Sequence, residues 1–199
     1  MLCSLCYLLF NVSANASIAN CCKLRPPVND KVSNERKNLH RLAGEFLVAS
    51  RLTQRGYMIA MQWGNTVGYD VLAFDKKGNV AFIEVKSSAS YHRRWMFQSK
   101  YARPQTDSIP LAKRFICCVD LSLVGREPAI YVLPAKLVAE GLNYYFNGKY
   151  PNSPSYHLSL DFKPQGRTKL PDVATVGAHI DADKFLERFD ILGVEPVNQ

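Results

Sequence analysis

The feature that most constrains the fold is a predicted β-hairpin between residues 69 and 86. Two apolar segments, Tyr69–Phe74 and Val80–Lys86, flank a polar turn in which Gly78 can take a left-handed conformation. A three-residue loop with Gly78 in the bulge position pairs each apolar residue of one segment with an apolar residue of the other. Because every one of these inner pairs is apolar, we predict this register.

The pair that continues this register is Asp70 opposite Glu84. Opposed side chains in a sheet have Cβ atoms roughly 5 Å apart, so two carboxylates there repel each other unless a cation compensates. Mg²⁺ prefers hard oxygen ligands, commonly one or two carboxylates. Lys86 points to the same side as Glu84, because side chains alternate along a strand. We therefore predict that Asp70, Glu84 and Lys86 converge on one face.

These three residues have a second interpretation as an exposed set of charges at the edge of a sheet. The sequence around Glu84 and Lys86 is very apolar, which argues against full exposure. Grouped on one face, the two carboxylates can hold a metal ion beside a phosphate, and the ammonium can orient water or stabilise developing charge. A register slip of one residue would move Asp70 to the other face and remove this site.

A helix is predicted before the hairpin, from about Asn34 to Arg55, with Gly56 as its C-terminal stop. Glu45 lies at the edge of its apolar stripe, so it either joins the hairpin carboxylates, for a second metal or to orient water, or is an ordinary surface carboxylate. The residues of the predicted stripe recur at helical spacing. They are Leu39, Leu42, Ala43, Phe46 and Ala49.

Further strands are predicted at Tyr57–Gln62, Arg114–Leu121 and Ala129–Leu133. A helix follows from Pro134 to about Phe146, since proline suits the first helical turn. Residues 90–110 have no clear period. The predicted fold class is therefore α/β (α+β), with a central mixed sheet of four to five strands flanked by helices.

The predicted domain covers residues 33–199, with a loop-rich extension from about residue 148 and a closing helix at Asp181–Phe189. Residues 1–32 are expected to be a disordered leader and linker or a mis-assigned start. Their apolar run resembles a signal peptide but lacks a positively charged beginning, and it is too short to span a bilayer. We therefore expect a cytoplasmic protein with no membrane anchor, with secretion as the alternative.

The six cysteines do not form a disulfide pattern. Cys117 and Cys118 are adjacent within an apolar run and are predicted to be small buried hydrophobic residues. Cys3 and Cys6 have metal-ligand spacing, but no second pair completes a familiar zinc site. A reducing compartment therefore suits the chain best.

The net charge is +8, from 25 Lys plus Arg against 17 Asp plus Glu. A basic surface attracts polyanions, although it can also serve solubility alone. The segment after the hairpin mixes cations with aromatic residues, which suits contacts to nucleic acid. Ser87 and Gln98 are possible auxiliary residues, or simply a strand end and a surface glutamine. The predicted nucleic-acid contacts are Arg93, Arg94, Lys100 and Arg103.

The motif pieces Gly44-Glu45, Gly68-Tyr69-Asp70 and Ile83-Glu84-Val85-Lys86 resemble the PD-(D/E)XK nuclease superfamily across about residues 34–135. Tyr69 stands where the superfamily name has proline. Later segments are similar to uncharacterised nuclease-like bacterial proteins. The resemblance implies a restriction-endonuclease-like core that depends on Mg²⁺, with Mn²⁺ as a substitute. It implies metal ligands at Asp70, Glu84 and the backbone carbonyl of Val85, and a catalytic Lys86.

We therefore expect a metal-dependent endonuclease that hydrolyses phosphodiester bonds, with DNA as the substrate implied by the resemblance. The sequence leaves the oligomeric state open. A homodimer is one alternative, because many enzymes that cut both strands act as dimers. The alternative is a non-catalytic nucleic-acid-binding module on the same fold, which would explain the basic charge equally well.

Overall fold

A mixed five-stranded sheet forms the centre of the fold. The computed structural model describes residues 33–63, 68–89, 94–102, 109–122, 125–144, 152, 154–159 and 182–197, and the statements below concern these residues. The helices are α1 (Asn34–Gln54) and α2 (Ala135–Tyr144). The strands are β1 (Met58–Met61), β2 (Val71–Phe74), β3 (Val80–Ser88), β4 (Arg94–Gln98), β5 (Arg114–Asp120), β6 (Ala129–Pro134) and β7 (Ser155–Ser159).

The strand order of the central sheet is β1-β2-β3-β5-β6, and β4 pairs with β7 in a separate two-stranded sheet. Only the β3–β5 pair of the central sheet is parallel among its described pairs. A parallel pair needs a crossover connection, and the chain between β3 and β5 supplies it. The prediction of an α+β chain with a mixed sheet flanked by helices is confirmed.

The predicted hairpin register is confirmed for the described ladder. Phe74 pairs with Val80, and Val71 pairs with Ile83. The turn between them is held by the Asp75 carboxylate, which accepts hydrogen bonds from the backbone amides of Lys77 and Asn79 at 2.8 and 2.9 Å. The alternation of apolar residues and the turn residues therefore determine this part of the fold locally.

Two apolar layers cover the two faces of the sheet. Helix α1 supplies Val48 and Leu52 to one cluster, which includes Ile83 and Val85 of β3. Helix α2 and the segment after β3 supply the other cluster, with the fully buried side chains of Trp95 and Phe97. Cys117 and Cys118 are fully buried on β5, as predicted.

The predicted apolar stripe of α1 is correct for Ala49, which is buried, but wrong for Leu39 and Phe46. Leu39 and Phe46 are exposed, with 65% and 48% of their surface accessible. The buried residues of this helix are Gly44, Glu45, Val48, Ala49 and Leu52. The reason is close packing on β3, because a Cβ added at Gly44 would lie 1.8 Å from the Ser87 Oγ. The missing side chain of Gly44 selects the face that meets the sheet.

The chain after β3 is more regular than predicted. Within 90–110, residues Arg94–Gln98 form β4 and residues Ser99–Ala102 form a 3-10 turn. The partner of β4 is β7, a strand in the segment expected to be mainly loop. The helix predicted at Asp181–Phe189 is wrong, since the described residues there form 3-10 turns at Ala182–Phe185 and Phe189–Leu192. Strand β4 was not predicted, because the strand that it pairs with, β7, lies far away in the sequence.

No helix in the described ranges has the length and hydrophobicity needed to cross a membrane. The predicted leader, residues 1–32, lies outside the described residues.

Candidate functional site

Asp70 lies where β2 begins and holds the end of the hairpin in an irregular geometry. Its backbone amide donates to the Ile83 carbonyl at 2.8 Å. Its carboxylate Oδ2 accepts a hydrogen bond from the Val85 amide at 2.7 Å. In a regular continuation of the ladder, the Val85 amide would bond a backbone carbonyl of the opposite strand. Asp70 is therefore not in a simple cross-strand pair with Glu84, and its carboxylate is bonded to β3 itself.

The Val85 carbonyl belongs to the same side of β3. The amide and carbonyl of one residue point the same way across a strand, so this carbonyl also faces the strand edge where Asp70 lies. The described β2–β3 ladder ends at the Val71–Ile83 pair. Asp70 and Val85 thus offer a carboxylate and a carbonyl at the edge that β2 leaves open.

Glu84, Lys86 and Tyr101 form a hydrogen-bonded network. The Lys86 Nζ lies 2.6 Å from Glu84 Oε1 and 2.9 Å from the Tyr101 hydroxyl. The Tyr101 hydroxyl also donates to Glu84 Oε1. The side chains of Lys86 and Glu84 are 25% and 23% exposed, so the pair is partly buried yet reachable. Glu84 and Lys86 therefore point the same way, as strand alternation predicts.

A cleft opens beside this network. Glu84 and Tyr101 line it together with Gly68, Phe82 and Arg114. Glu84 is therefore accessible to solvent through this cleft.

Glu45 approaches Asp70 from helix α1. The residue is 5% exposed, and its Oε1 lies 3.3 Å from the Arg41 Nη1. Burial raises the pKa of Glu45, and the negative charge of Asp70 raises it further, while Arg41 opposes the shift. Glu45 is thus a buried carboxylate close enough to Asp70 to sense its charge, rather than an ordinary surface group.

The pKa of Asp70 is also raised. Burial is the largest cause; the hydrogen bond from Val85 opposes it, and the charge of Glu84 adds to it. Asp70 therefore interacts electrostatically with two other carboxylates: its charge raises the pKa of Glu45, and the charge of Glu84 raises its own pKa. Such clustered like charges in a partly buried place are typical of functional sites.

The pKa values of the basic and phenolic groups of the network are raised as well. Burial alone lowers the pKa of Lys86, but the Glu84 carboxylate and the Tyr101 oxygen raise it above its ordinary value. Burial and the charge of Glu84 raise the pKa of Tyr101 to about 12. Lys86 is therefore a cation and Tyr101 a neutral hydroxyl at neutral pH.

The residues fit a divalent cation in part. Asp70 and Glu84 repel each other electrostatically, and a cation between them would relieve that repulsion. A carboxylate has about four lone-pair sites, so Glu84 keeps acceptor capacity beyond its two bonded donors. Within the described ranges, no group of three or more His, Cys, Asp or Glu residues is arranged to hold a metal. A cation bound here would have two carboxylates and a backbone carbonyl as protein ligands, and water or substrate oxygens would have to complete its coordination.

Three of the predicted auxiliary and nucleic-acid residues have described side chains, namely Ser87, Gln98 and Lys100. Ser87 packs its Oγ under α1, where the atom is buried and has no hydrogen-bond partner among described groups, so it does not face the cleft as a phosphate contact would. Gln98 and Lys100 are exposed, and the Lys100 Nζ lies 5.2 Å from the Tyr101 ring centre. Arg93, Arg103 and the side chain of Arg94 lie outside the described part of the chain.

Tyr101 is the site residue that the sequence analysis missed. It belongs to the 3-10 turn after β4, and its ring packs edge-on against Phe97 at 5.4 Å between ring centres. The available signal was a hydroxyl-bearing aromatic residue in the basic, aromatic segment after Lys86. The spacing between Tyr101 and Glu84 in the sequence did not indicate this contact, because the contact depends on how the turn packs against β3.

Comparisons with known proteins show similarity to one family over part of the chain and to one solved structure at low identity. A family model described as "Protein NO VEIN, C-terminal" matches residues 45–101, less than half of the chain, and this range runs from Glu45 to Tyr101. A search of curated proteins finds no significant match. Among solved structures, a bacterial homing endonuclease is similar at 15% identity with a TM-score of 0.43, covering 80% of this chain and 91% of that chain.

Proposed function

We propose that this chain is a metal-dependent phosphodiesterase that cleaves nucleic acid, with DNA as the first substrate to test. The observation that supports the proposal most is that Asp70 lies close enough to Glu84 and Lys86 for the charges of both to shift its pKa. The Asp70 carboxylate is bonded to the Val85 amide at 2.7 Å, and Lys86 is bonded to Glu84 at 2.6 Å. The net charge of +8 suits a polyanionic substrate.

Each residue has a role in the proposed reaction. Asp70, Glu84 and the Val85 carbonyl would hold Mg²⁺ or Mn²⁺, and the bound ion supplies polarisation of a phosphoryl oxygen and activation of water. Lys86 presents its ammonium toward the same place and stabilises charge that develops on the phosphate. Tyr101 orients both Glu84 and Lys86 through its hydroxyl. Glu45 adds negative charge near Asp70, and so increases the affinity of this end of the sheet for cations.

The test is cleavage of supercoiled plasmid with Mg²⁺, with a single-stranded RNA tested in parallel. Wild type should cleave, while Asp70→Asn, Glu84→Gln and Lys86→Met should each lose activity by a factor on the order of 100 or more. Asp190→Asn is the matched control, because Asp190 is an exposed carboxylate paired with Arg188. Full activity in Asp70→Asn would refute the mechanism.

Binding of DNA without cleavage would favour the non-catalytic module instead. Isothermal titration with Mn²⁺ separates the two functions, because a pure binder has no need to hold a metal ion between Asp70 and Glu84. A module that binds DNA equally well with and without Mn²⁺, and shows no heat of metal binding, would replace the enzyme as the proposed function.

A further inference from the structure

We infer that Phe46 and Trp63 form a stacking site for an unpaired nucleobase beside the carboxylate site. This inference rests on the proposed function for the identity of the partner, a nucleic acid, but it does not require catalysis. It assigns the site a preference for substrates with single-stranded bases near the cleaved bond.

The two rings are exposed together. Phe46 is 48% exposed and Trp63 is 67% exposed, although large aromatic residues are usually buried. Their ring centres are 5.7 Å apart and the rings are tilted by 56°, so neither covers the other's face by parallel stacking. Neither ring contributes to the two apolar clusters of the described core. The pair is therefore an aromatic surface that core packing does not explain.

The aromatic pair is connected directly to the candidate site. Phe46 follows Glu45 in helix α1. Trp63 follows Gln62, whose backbone amide donates to the Asp70 carbonyl at 2.9 Å. Each ring is thus one residue away from a group that belongs to the site or is bonded to it. Both rings are therefore carried by segments of the chain that touch the site, Phe46 by α1 and Trp63 by the segment bonded to Asp70.

The exposed cation of α1 suits a nucleotide better than an apolar protein surface. Arg41 lies one turn before Glu45 on α1; its side chain is 47% exposed, and its charge reaches both Glu45 and Asp70. A nucleotide offers an aromatic base to the rings and a phosphate that can interact with the guanidinium. An apolar protein partner would cover the exposed part of Arg41 and offer it no anion beyond Glu45.

The test uses Trp63 as its own reporter. The chain has two tryptophans, and Trp95 is 1% exposed, so a base can reach only Trp63. We expect an oligo(dT) of about 12 nucleotides, added in EDTA, to quench tryptophan fluorescence in wild type and not in Trp63→Phe. An abasic oligonucleotide with the same number of phosphates should bind more weakly and leave the fluorescence unchanged.

Affinity measured by anisotropy of labelled oligo(dT) gives an independent readout. Phe46→Ala and Trp63→Ala should each weaken binding roughly tenfold, the loss typical of one stacked base. Trp63→Phe should retain most of the affinity, because it keeps a ring. Leu186→Ala is the matched control, since Leu186 is also an exposed apolar residue, at 43%. Circular dichroism checks that each variant is folded.

The result that overturns the inference is equal binding of the oligo(dT) and the abasic strand, or unchanged affinity in both alanine variants. A change of oligomeric state in those variants without a change in affinity would assign the rings to a protein interface and also overturn it. Metal-dependent cleavage with no base-dependent binding would support the proposed function and refute the stacking site. Base-dependent binding without cleavage would support the stacking site and refute the proposed catalytic function.

Discussion

The Asp70 carboxylate accepts a hydrogen bond from the Val85 amide at 2.7 Å, and this contact replaces the next rung of the hairpin. The bond holds Asp70 beside β3, where its charge raises the pKa of Glu45 and the charge of Glu84 raises its own pKa. A strand that ends in this way supplies a carboxylate to the site at the cost of regular pairing. Function and stability are therefore opposed at Asp70.

Asp70→Asn should make the metal-free protein more stable at neutral pH, by about 1 kcal/mol. The pKa of Asp70 is raised in the folded state, mainly by burial. The folded state therefore holds the proton more tightly, and stability falls as pH rises from the ordinary pKa through the raised one. The asparagine oxygen can still accept from Val85. Urea unfolding of both proteins across acidic to neutral pH measures the effect.

The difference between Asp70→Asn and wild type should vanish at pH values where Asp70 is protonated in both states. Asp190→Asn is a control of opposite sign, because a hydrogen bond from Arg188 lowers the pKa of Asp190. Asp190 therefore stabilises the fold above its ordinary pKa, and its replacement should not stabilise the protein. An Asp70→Asn protein less stable than wild type at neutral pH would contradict the account of repelling carboxylates.

Mg²⁺ or Mn²⁺ should stabilise wild type and leave Asp70→Asn unchanged. A ligand that binds only the folded state stabilises it by about 2.7 kcal/mol at a concentration one hundred times its Kd. Thermal unfolding at increasing metal concentration measures this gain. Ca²⁺ in place of Mg²⁺ tests oxygen ligation without catalysis. Equal stabilisation of both proteins would place the ion elsewhere in the molecule.

Tyr101→Phe should lower the free energy of unfolding by about 1.5 kcal/mol, because it removes hydrogen bonds to a charged pair. The ring and its contact with Phe97 remain. In a double-mutant cycle with Glu84→Gln, the coupling should exceed about 0.5 kcal/mol. Tyr57→Phe is the matched control, since the Tyr57 hydroxyl donates to the Phe189 carbonyl at 3.2 Å. Additivity of Tyr101→Phe with Glu84→Gln would show that the network is not a unit.

Gly44→Ala should destabilise the protein by about 2 kcal/mol. Helix propensity alone favours alanine by about 1 kcal/mol, but the new Cβ would lie 1.8 Å from the Ser87 Oγ. The clash outweighs the propensity because the obstacle is a buried side chain on a central strand. Chemical denaturation measures the loss. Most of it should disappear in the double variant with Ser87→Ala, which removes the Oγ; a persistent loss would place the conflict at the Ser87 Cβ or in the backbone.

The hairpin register and the residue types of the site were predictable from local chemistry. Each apolar pair from Val71–Ile83 to Phe74–Val80 is observed, because turn geometry and strand alternation act over a few residues. The same local rules put Glu84 and Lys86 on one side of β3. These rules failed for Asp70. Its carboxylate bonds the backbone amide of Val85, and the alternation of residues in the sequence would be the same if Asp70 continued the regular ladder.

The sequence by itself determined the hairpin and the helix before it, since these depend on propensity and alternation over short distances. Only the tertiary structure decided which face of α1 is buried, because the close approach of Gly44 to Ser87 joins elements far apart in the chain. It also decided that Tyr101 reaches Glu84 and that Phe46 meets Trp63 in solvent. These contacts arise from packing between elements, and no single segment encodes them.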